Sequence, residues 1–143
     1  MRLPGTGERS QGLEECGFCE ENGALDAAIV ARNEHCLLVR FEDPVLDSWM
    51  MVLPIRHAET PFDLTAEEWA ATRELLTEAK RHLAADRPDG YTIGWNVHPV
   101  GGQTVPHAHL HVIGRFADEP LAGKGLRHAI KQPENRRPGR SRD

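Results

Sequence analysis

The stretch Val105-Pro106-His107-Ala108-His109-Leu110-His111-Val112-Ile113 places three of the chain's eight histidines at a spacing of two. Two is the period of a β-strand, in which successive side chains point to opposite faces. An extended chain therefore sets His107, His109 and His111 on one face and Ala108, Leu110 and Val112 on the other. The apolar face can be buried and the imidazole face kept for chemistry. The flanks fit a strand, because Gly101-Gly102-Gln103-Thr104 reads as a tight turn and Gly114 closes the run.

At 143 residues and 39% hydrophobic content, the chain has the size and composition of one domain with an ordinary core. No apolar run approaches the roughly 20 residues of a bilayer span. Residues 1–15 lack the hydrophobic centre of a signal peptide, so a cytoplasmic protein with no membrane partner is expected. Three cysteines, an odd number without an export signal, argue against a disulfide framework. Cys16-Gly17-Phe18-Cys19 has the spacing of a metal-binding pair, and Cys36, in an apolar run, reads as a buried thiol. The net charge of -5 is unevenly distributed: residues 1–114 carry 9 Lys and Arg against 18 Asp and Glu, and residues 115–143 carry 8 against 4. The basic end, rich in Pro, Gly and Arg, reads as a solvated terminus and not as a nucleic-acid-binding arm. The expected organisation is a disordered extension over residues 1–15, one domain over 16–131 and a basic, disordered tail over 132–143.

Along the chain, Ala28 to Arg32 and His35 to Phe41 are β-prone runs separated by a hairpin turn at Asn33-Glu34. Trp49 to Leu53 is a third strand, stopped by Pro54 and followed by a loop that contains His57. Thr65-Ala66-Glu67-Glu68 has the form of a capping box and predicts a helix whose sheet-facing side carries Trp69, Thr72, Leu76, Ala79 and Leu83. Asp86 to Gly90 ends that helix. Tyr91 to Val97 alternates as a fourth strand, paired as a hairpin with the histidine strand.

Three imidazoles on one face suggest a metal first. His107 and His111 would stand about 13 Å apart along a strand, however, too far to share one ion. The second possibility is covalent catalysis. A neutral imidazole can attack phosphorus when one ring nitrogen is unprotonated and the other donates a hydrogen bond that fixes the tautomer. His109, in the middle, is best placed for this. His107 and His111 would orient it and hold phosphate oxygens, and N–H groups from Gly101 to Thr104 would supply further donors. A bland third account leaves the three histidines solvated on an edge strand.

His107-Ala108-His109-Leu110-His111-Val112-Ile113 resembles the motif of the histidine triad (HIT) superfamily. The resemblance extends to Gly101-Gly102-Gln103-Thr104-Val105, to Asn96 at a strand end and to Val52-Leu53-Pro54-Ile55-Arg56-His57, and it covers Cys16 to about Phe116. It implies an α+β fold, a five-stranded antiparallel sheet with flanking helices, commonly as a homodimer with joined sheets. It also implies an enzyme, a nucleotide hydrolase or nucleotidyl transferase acting on a nucleoside phosphoramidate or (di)nucleoside polyphosphate. His109 takes the nucleophile's role and forms a nucleotidyl-histidine intermediate on the way to a nucleoside monophosphate. His111 and Thr104 match contacts to phosphate and leaving group, and Asn96, Gly102 and Gln103 fall at substrate-binding positions near the phosphate. Asp43 matches an acidic residue that accepts hydrogen bonds from ribose.

The same resemblance completes the cysteine pair. In members with an N-terminal pair, the positions of His57 and His107 bind zinc, which implies a structural site of Cys16, Cys19, His57 and His107. Closed four-ligand coordination leaves no place for water, so no catalytic metal is expected. Phe18 matches an aromatic that contacts the base, whereas His98 departs from the family's turn. Two other readings stay open at this level: a zinc-stabilised nucleotide-binding dimer without turnover, and a metal-dependent hydrolase.

Overall fold

The computed structural model describes residues 16–140, so the extension over residues 1–15 and the last three residues of the tail lie outside the described residues. Five strands and one α-helix form in the order β1 (Ile29–Arg32), β2 (Cys36–Arg40), β3 (Trp49–Pro54), α1 (Ala66–Leu83), β4 (Gly90–Trp95) and β5 (Leu110–Arg115). All neighbours pair antiparallel, in the sheet order β1-β2-β3-β5-β4. The expected flanking helices reduce to one among the described residues; the remaining helical pieces are single 3-10 turns. No helix among the described residues is long and apolar enough to cross a membrane.

Local chemistry explains the well-anticipated elements. Asn33 closes the β1–β2 hairpin, its Oδ1 accepting from the N–H groups of His35 and Cys36, while its Nδ2 donates to Ala71 O of α1 and ties the turn to the helix. Thr65 and Glu68 form the capping box, with the Glu68 N–H donating to Thr65 Oγ1 and the Thr65 N–H to Glu68 Oε1.

The buried side of α1 is Glu68, Ala71, Thr72, Leu75, Ala79 and Leu83, rotated from the expected one. Trp69 is 45% exposed and meets Trp95 edge-on at the rim of the sheet, and Leu76 is only partly buried. The reason is Glu68. Its carboxylate receives two hydrogen bonds from Arg56 in the loop after β3, at 2.8 and 3.2 Å, and this pair turns the charged residue inward. Burial acts to raise the Glu68 pKa, but the Arg56 fork and the Thr65 N–H outweigh it and hold the carboxyl below its ordinary 4.5. Stability from a lowered carboxylate is present above the unfolded pKa and lost as pH falls through the folded one. Glu68→Gln is therefore expected to cost about 1–2 kcal/mol at pH 7 and to flatten the loss of melting temperature below about pH 4.5. Parallel acid limbs for the two proteins would place that pH dependence elsewhere.

The helix covers one face of the sheet, over Cys36, Leu38, Met50, Val52, Leu110 and Val112. On the other face, Leu25 and Ala28 cover Leu37, Val39, Met51 and Leu53. The β5 positions that point this way are His111, Ile113 and Arg115, which alternate with the buried Leu110 and Val112. Segments preceding β1 and following β5 thus flank the histidines on a single face.

Candidate active site and candidate metal centre

Regular pairing of β5 with β3 begins only at Leu110, opposite Val52, so His107 and His109 lie ahead of the strand proper. Pro54 accounts for the break. It has no N–H for a ladder, and its carbonyl accepts instead from the His107 ring, Nε2–H to O, at 2.8 Å. The Ala108 N–H donates to Ala58 O at 2.7 Å and holds the segment extended. The two-residue alternation survives, with His109 5% exposed and its ring centroid 4.9 Å from those of both His111 and Phe18.

The hydrogen bonds fix each tautomer. Only the ring N–H can donate to a carbonyl, so the 2.7 Å contact between His109 Nδ1 and His107 O puts the proton on Nδ1 and leaves Nε2 as the basic nitrogen. Trp49 Nε1–H donates to His111 Nδ1 at 3.2 Å, which leaves the His111 proton on Nε2 as a donor. Burial lowers the pKa of His109, and burial reinforced by the neighbouring His109 pushes His111 down to about 4. Both imidazoles are therefore neutral at pH 7.

Beside the triad, one donor atom each from Cys16, Cys19, His57 and His107 lies within 4.8 Å of every other. His107 Nδ1 stands 3.5 Å from Cys16 Sγ and 3.6 Å from Cys19 Sγ, and His57 Nδ1 stands 3.2 Å from Cys19 Sγ. A tetrahedral ion with typical thiolate and imidazole bond lengths has S-to-N edges of about 3.6 Å. The donor set fits such an ion in chemistry as well as spacing. The Pro54 carbonyl takes the Nε2 proton of His107, so Nδ1 carries the lone pair toward the cysteines. Burial, with the adjoining Cys16, pushes the Cys19 thiol up to about 12, and a cation among the four donors would reverse that.

The turn before β5 supplies fewer donors than its glycines suggest. The N–H groups of Gly101 and Gln103 donate to His98 O, and that of Gly102 to Pro99 O. Thr104, whose N–H and hydroxyl take no part in these bonds, is exposed. Gly102 has φ +98 and lies against Asn96, with a virtual Cβ 3.5 Å from Oδ1, so a side chain there would be strained. Gln103 is buried and engaged at both ends: Oε1 accepts from the His98 N–H at 2.8 Å, and Nε2 donates to Glu59 O at 2.6 Å. It joins this turn to the loop that carries His57. Asp43 Oδ1 accepts from the N–H groups of Val45 and Leu46, both at 2.8 Å, and these bonds, Leu46 first, lower its pKa.

His98 adopts φ 62 and ψ 162, a region that is essentially glycine's own and costs on the order of 1–3 kcal/mol for other residues. His98→Gly is expected to stabilise the fold by about 1 kcal/mol after allowing for the glycine's greater freedom in the unfolded chain. Urea unfolding measures the change, and an unchanged midpoint would contradict it.

The HIT domain family matches residues 22–118, which include the triad and His57 but begin after Cys16 and Cys19. The chain belongs to the HIT family. The purine nucleoside phosphoramidase of Escherichia coli (strain K12) is 32% identical over 95 residues, covering 63% of this chain and 80% of that protein. An uncharacterized HIT-like protein of Synechococcus elongatus is 33% identical over 91 residues, covering 63% and 80%. The crystal structure of a HIT family protein from Bacillus anthracis superposes with a TM-score of 0.66 at 28% identity, covering 74% of this chain and 77% of that one. Within this HIT fold, the residue least visible in the sequence is Trp49. It reads as an ordinary strand residue, and only the β3–β5 register brings its indole N–H to His111.

Proposed function

We propose that this HIT protein cleaves nucleotides at the α-phosphate through a covalent histidine intermediate, acting as a hydrolase or nucleotidyl transferase on a nucleoside phosphoramidate or (di)nucleoside polyphosphate. The observation that carries the reading is the His109 Nδ1–H bond to its neighbouring carbonyl, which reserves Nε2 for attack. In the first step the Nε2–P bond forms, the P–N or P–O bond to the leaving group breaks, and the leaving group departs with the electron pair and takes up a proton. In the second, water adds to phosphorus, the Nε2–P bond breaks, and a nucleoside monophosphate leaves with His109 restored. His111, an Nε2–H donor set by Trp49, and exposed Thr104 would contact phosphate oxygens or the leaving group. Asn96 and Gly102 would border the phosphate, with Gln103 holding their turn in place. Asp43 keeps Oδ2 for a ribose hydroxyl, and Phe18, stacked at 6.5 Å on Phe41, would border the base.

The phosphoramidase relative makes adenosine 5′-phosphoramidate the first substrate to try. Rapid acid-free denaturation during turnover should trap a chain heavier by one adenylyl group, mapped to His109 by fragmentation. Tight nucleotide binding with no turnover and no adduct would replace the enzyme with a nucleotide-binding protein. We infer further that the ion of the Cys2His2 cluster is structural zinc, because two thiolates and two imidazoles fill a tetrahedron and leave no position for water. Among the described residues β4 is an edge strand, whose outer N–H and C=O groups are open to a second copy, and this supports the expected homodimer joined sheet to sheet.

A further inference from the structure

Past His111, on the side away from Phe18, the cleft continues as a trough of about 250 Å³ bounded by Trp49, Trp95, Ile113 and Leu126, with Thr92 and Asn96 as polar points. It shares Leu46, Thr92, Ile113 and Leu126 with a larger cavity of about 560 Å³ under the segment that follows β5. Two side chains anchor that segment, and one of them is Asp89, whose Oδ2 accepts from the Ala117 N–H at 2.7 Å. Arg115, at the end of β5, donates from Nη1 to Thr92 Oγ1 at 3.0 Å and to Lys124 O at 2.9 Å, from Nη2 to Leu121 O at 3.0 Å, and from Nε to the Glu119 carboxylate at 2.9 and 3.1 Å. The Arg115 guanidinium and the Asp89 carboxylate thus hold residues 116–124 as a wall over the sheet face. Leu126 follows after Gly125 and rests on Gly94, where a Cβ would lie 3.2 Å from its Cδ1. Gly94 is the register partner of His111, so this leucine is set beside the last imidazole of the triad. It remains 63% exposed, an apolar side chain held at the site with surface still to cover.

We propose that the trough is a leaving-group subsite, that Leu126 is its specificity-determining residue, and that the preferred substrate is a nucleoside phosphoramidate whose amine bears an apolar alkyl or aryl substituent. The inference rests on the chemistry proposed for His109 and narrows its substrate. Attack by Nε2 breaks the P–N bond, and the amine leaves with the electron pair, takes a proton from solvent and carries its substituent out through the trough. A second nucleotide suits this place poorly. The part next to His111 has no Lys or Arg side chain in its lining, and the nearest guanidinium, that of Arg115, is committed to the wall. Hydrocarbon suits it well, since each methylene buried there is worth roughly fourfold in binding.

The test compares kcat/KM for the N-methyl and N-hexyl phosphoramidates of adenosine, whose departing amines have matched basicity and differ in chain length. The native protein should favour the hexyl compound by about 10- to 100-fold. Leu126→Asp, and independently Gly94→Ala, which displaces the leucine, should bring that ratio to within about threefold of unity. Phe62→Ala, exposed on the turn before α1, should leave it unchanged. A native ratio near one, or a ratio untouched by both variants, overturns the subsite and leaves the His109 chemistry standing. Failure to turn over either compound also overturns the subsite, and the His109 chemistry falls with it only if a dinucleoside polyphosphate is left uncleaved in the same assay.

Discussion

His109→Ala is expected to lower kcat/KM on adenosine phosphoramidate by on the order of 10⁴-fold and to abolish the adenylylated intermediate. The size of the effect follows from the role: without Nε2 there is no bond to phosphorus, and water would have to attack directly. His111→Ala should cost less, on the order of 10²-fold, because it removes one oriented donor and leaves the nucleophile in place. The two variants should differ in kind as well. His111→Ala should still accumulate adduct, now slowly, whereas His109→Ala should show none at any time. Circular dichroism and melting of both variants guard against a trivial loss of fold. An alanine at 109 that kept a tenth of the native rate would remove the covalent mechanism, whatever else the cleft binds.

The purified chain is expected to hold one zinc per polypeptide, and stripping it should lower the melting temperature by about 10 °C or more. Cys19→Ser should do the same at any zinc concentration, because Cys19 Sγ lies close to both His57 and His107. The effect on activity is a consequence of where the cysteines lie. Phe18, between them, packs edge-on against the His109 ring, and His107 is two residues from His109, so release of the cluster is expected to loosen both sides of the imidazole proposed to attack. A metal-free chain that melts at the same temperature as a zinc-loaded one would show that the four donors are a coincidence of packing. Full restoration of activity by any exchangeable divalent ion in a Cys19→Ser background would instead favour the metal-dependent hydrolase.

What the sequence discloses here is what depends on neighbours along the chain. The Asn33 turn, the Thr65–Glu68 box and the alternation around His109 are short-range patterns, and each appears in the structure where it was expected. Periodicity misplaces the helix face because it aligns apolar residues but cannot foresee that Arg56, twelve positions earlier, draws Glu68 inside and puts Leu75 in the core in place of Leu76. The beginning of β5 moved to Leu110 for a similar reason, since Pro54 lies in a different strand. In the turn, glycines promised open N–H donors that the turn itself uses. The grouping of His57 and His107 with Cys16 and Cys19 is visible only through family resemblance, since spacing alone marks the cysteine pair. Nothing in the sequence marked the wall after β5, because Arg115 looks like any charged residue at a strand end until its partners are seen.

That wall separates two tasks within one small protein. His109, His111 and the supporting Trp49 belong to the central strands or the extended run leading into them, where a shift would disturb the whole sheet. Leu126 belongs to a strap fastened by Arg115 and Asp89. A lineage could therefore trade one guest for another by rewriting a dozen residues downstream of β5, while the reacting atoms kept their positions.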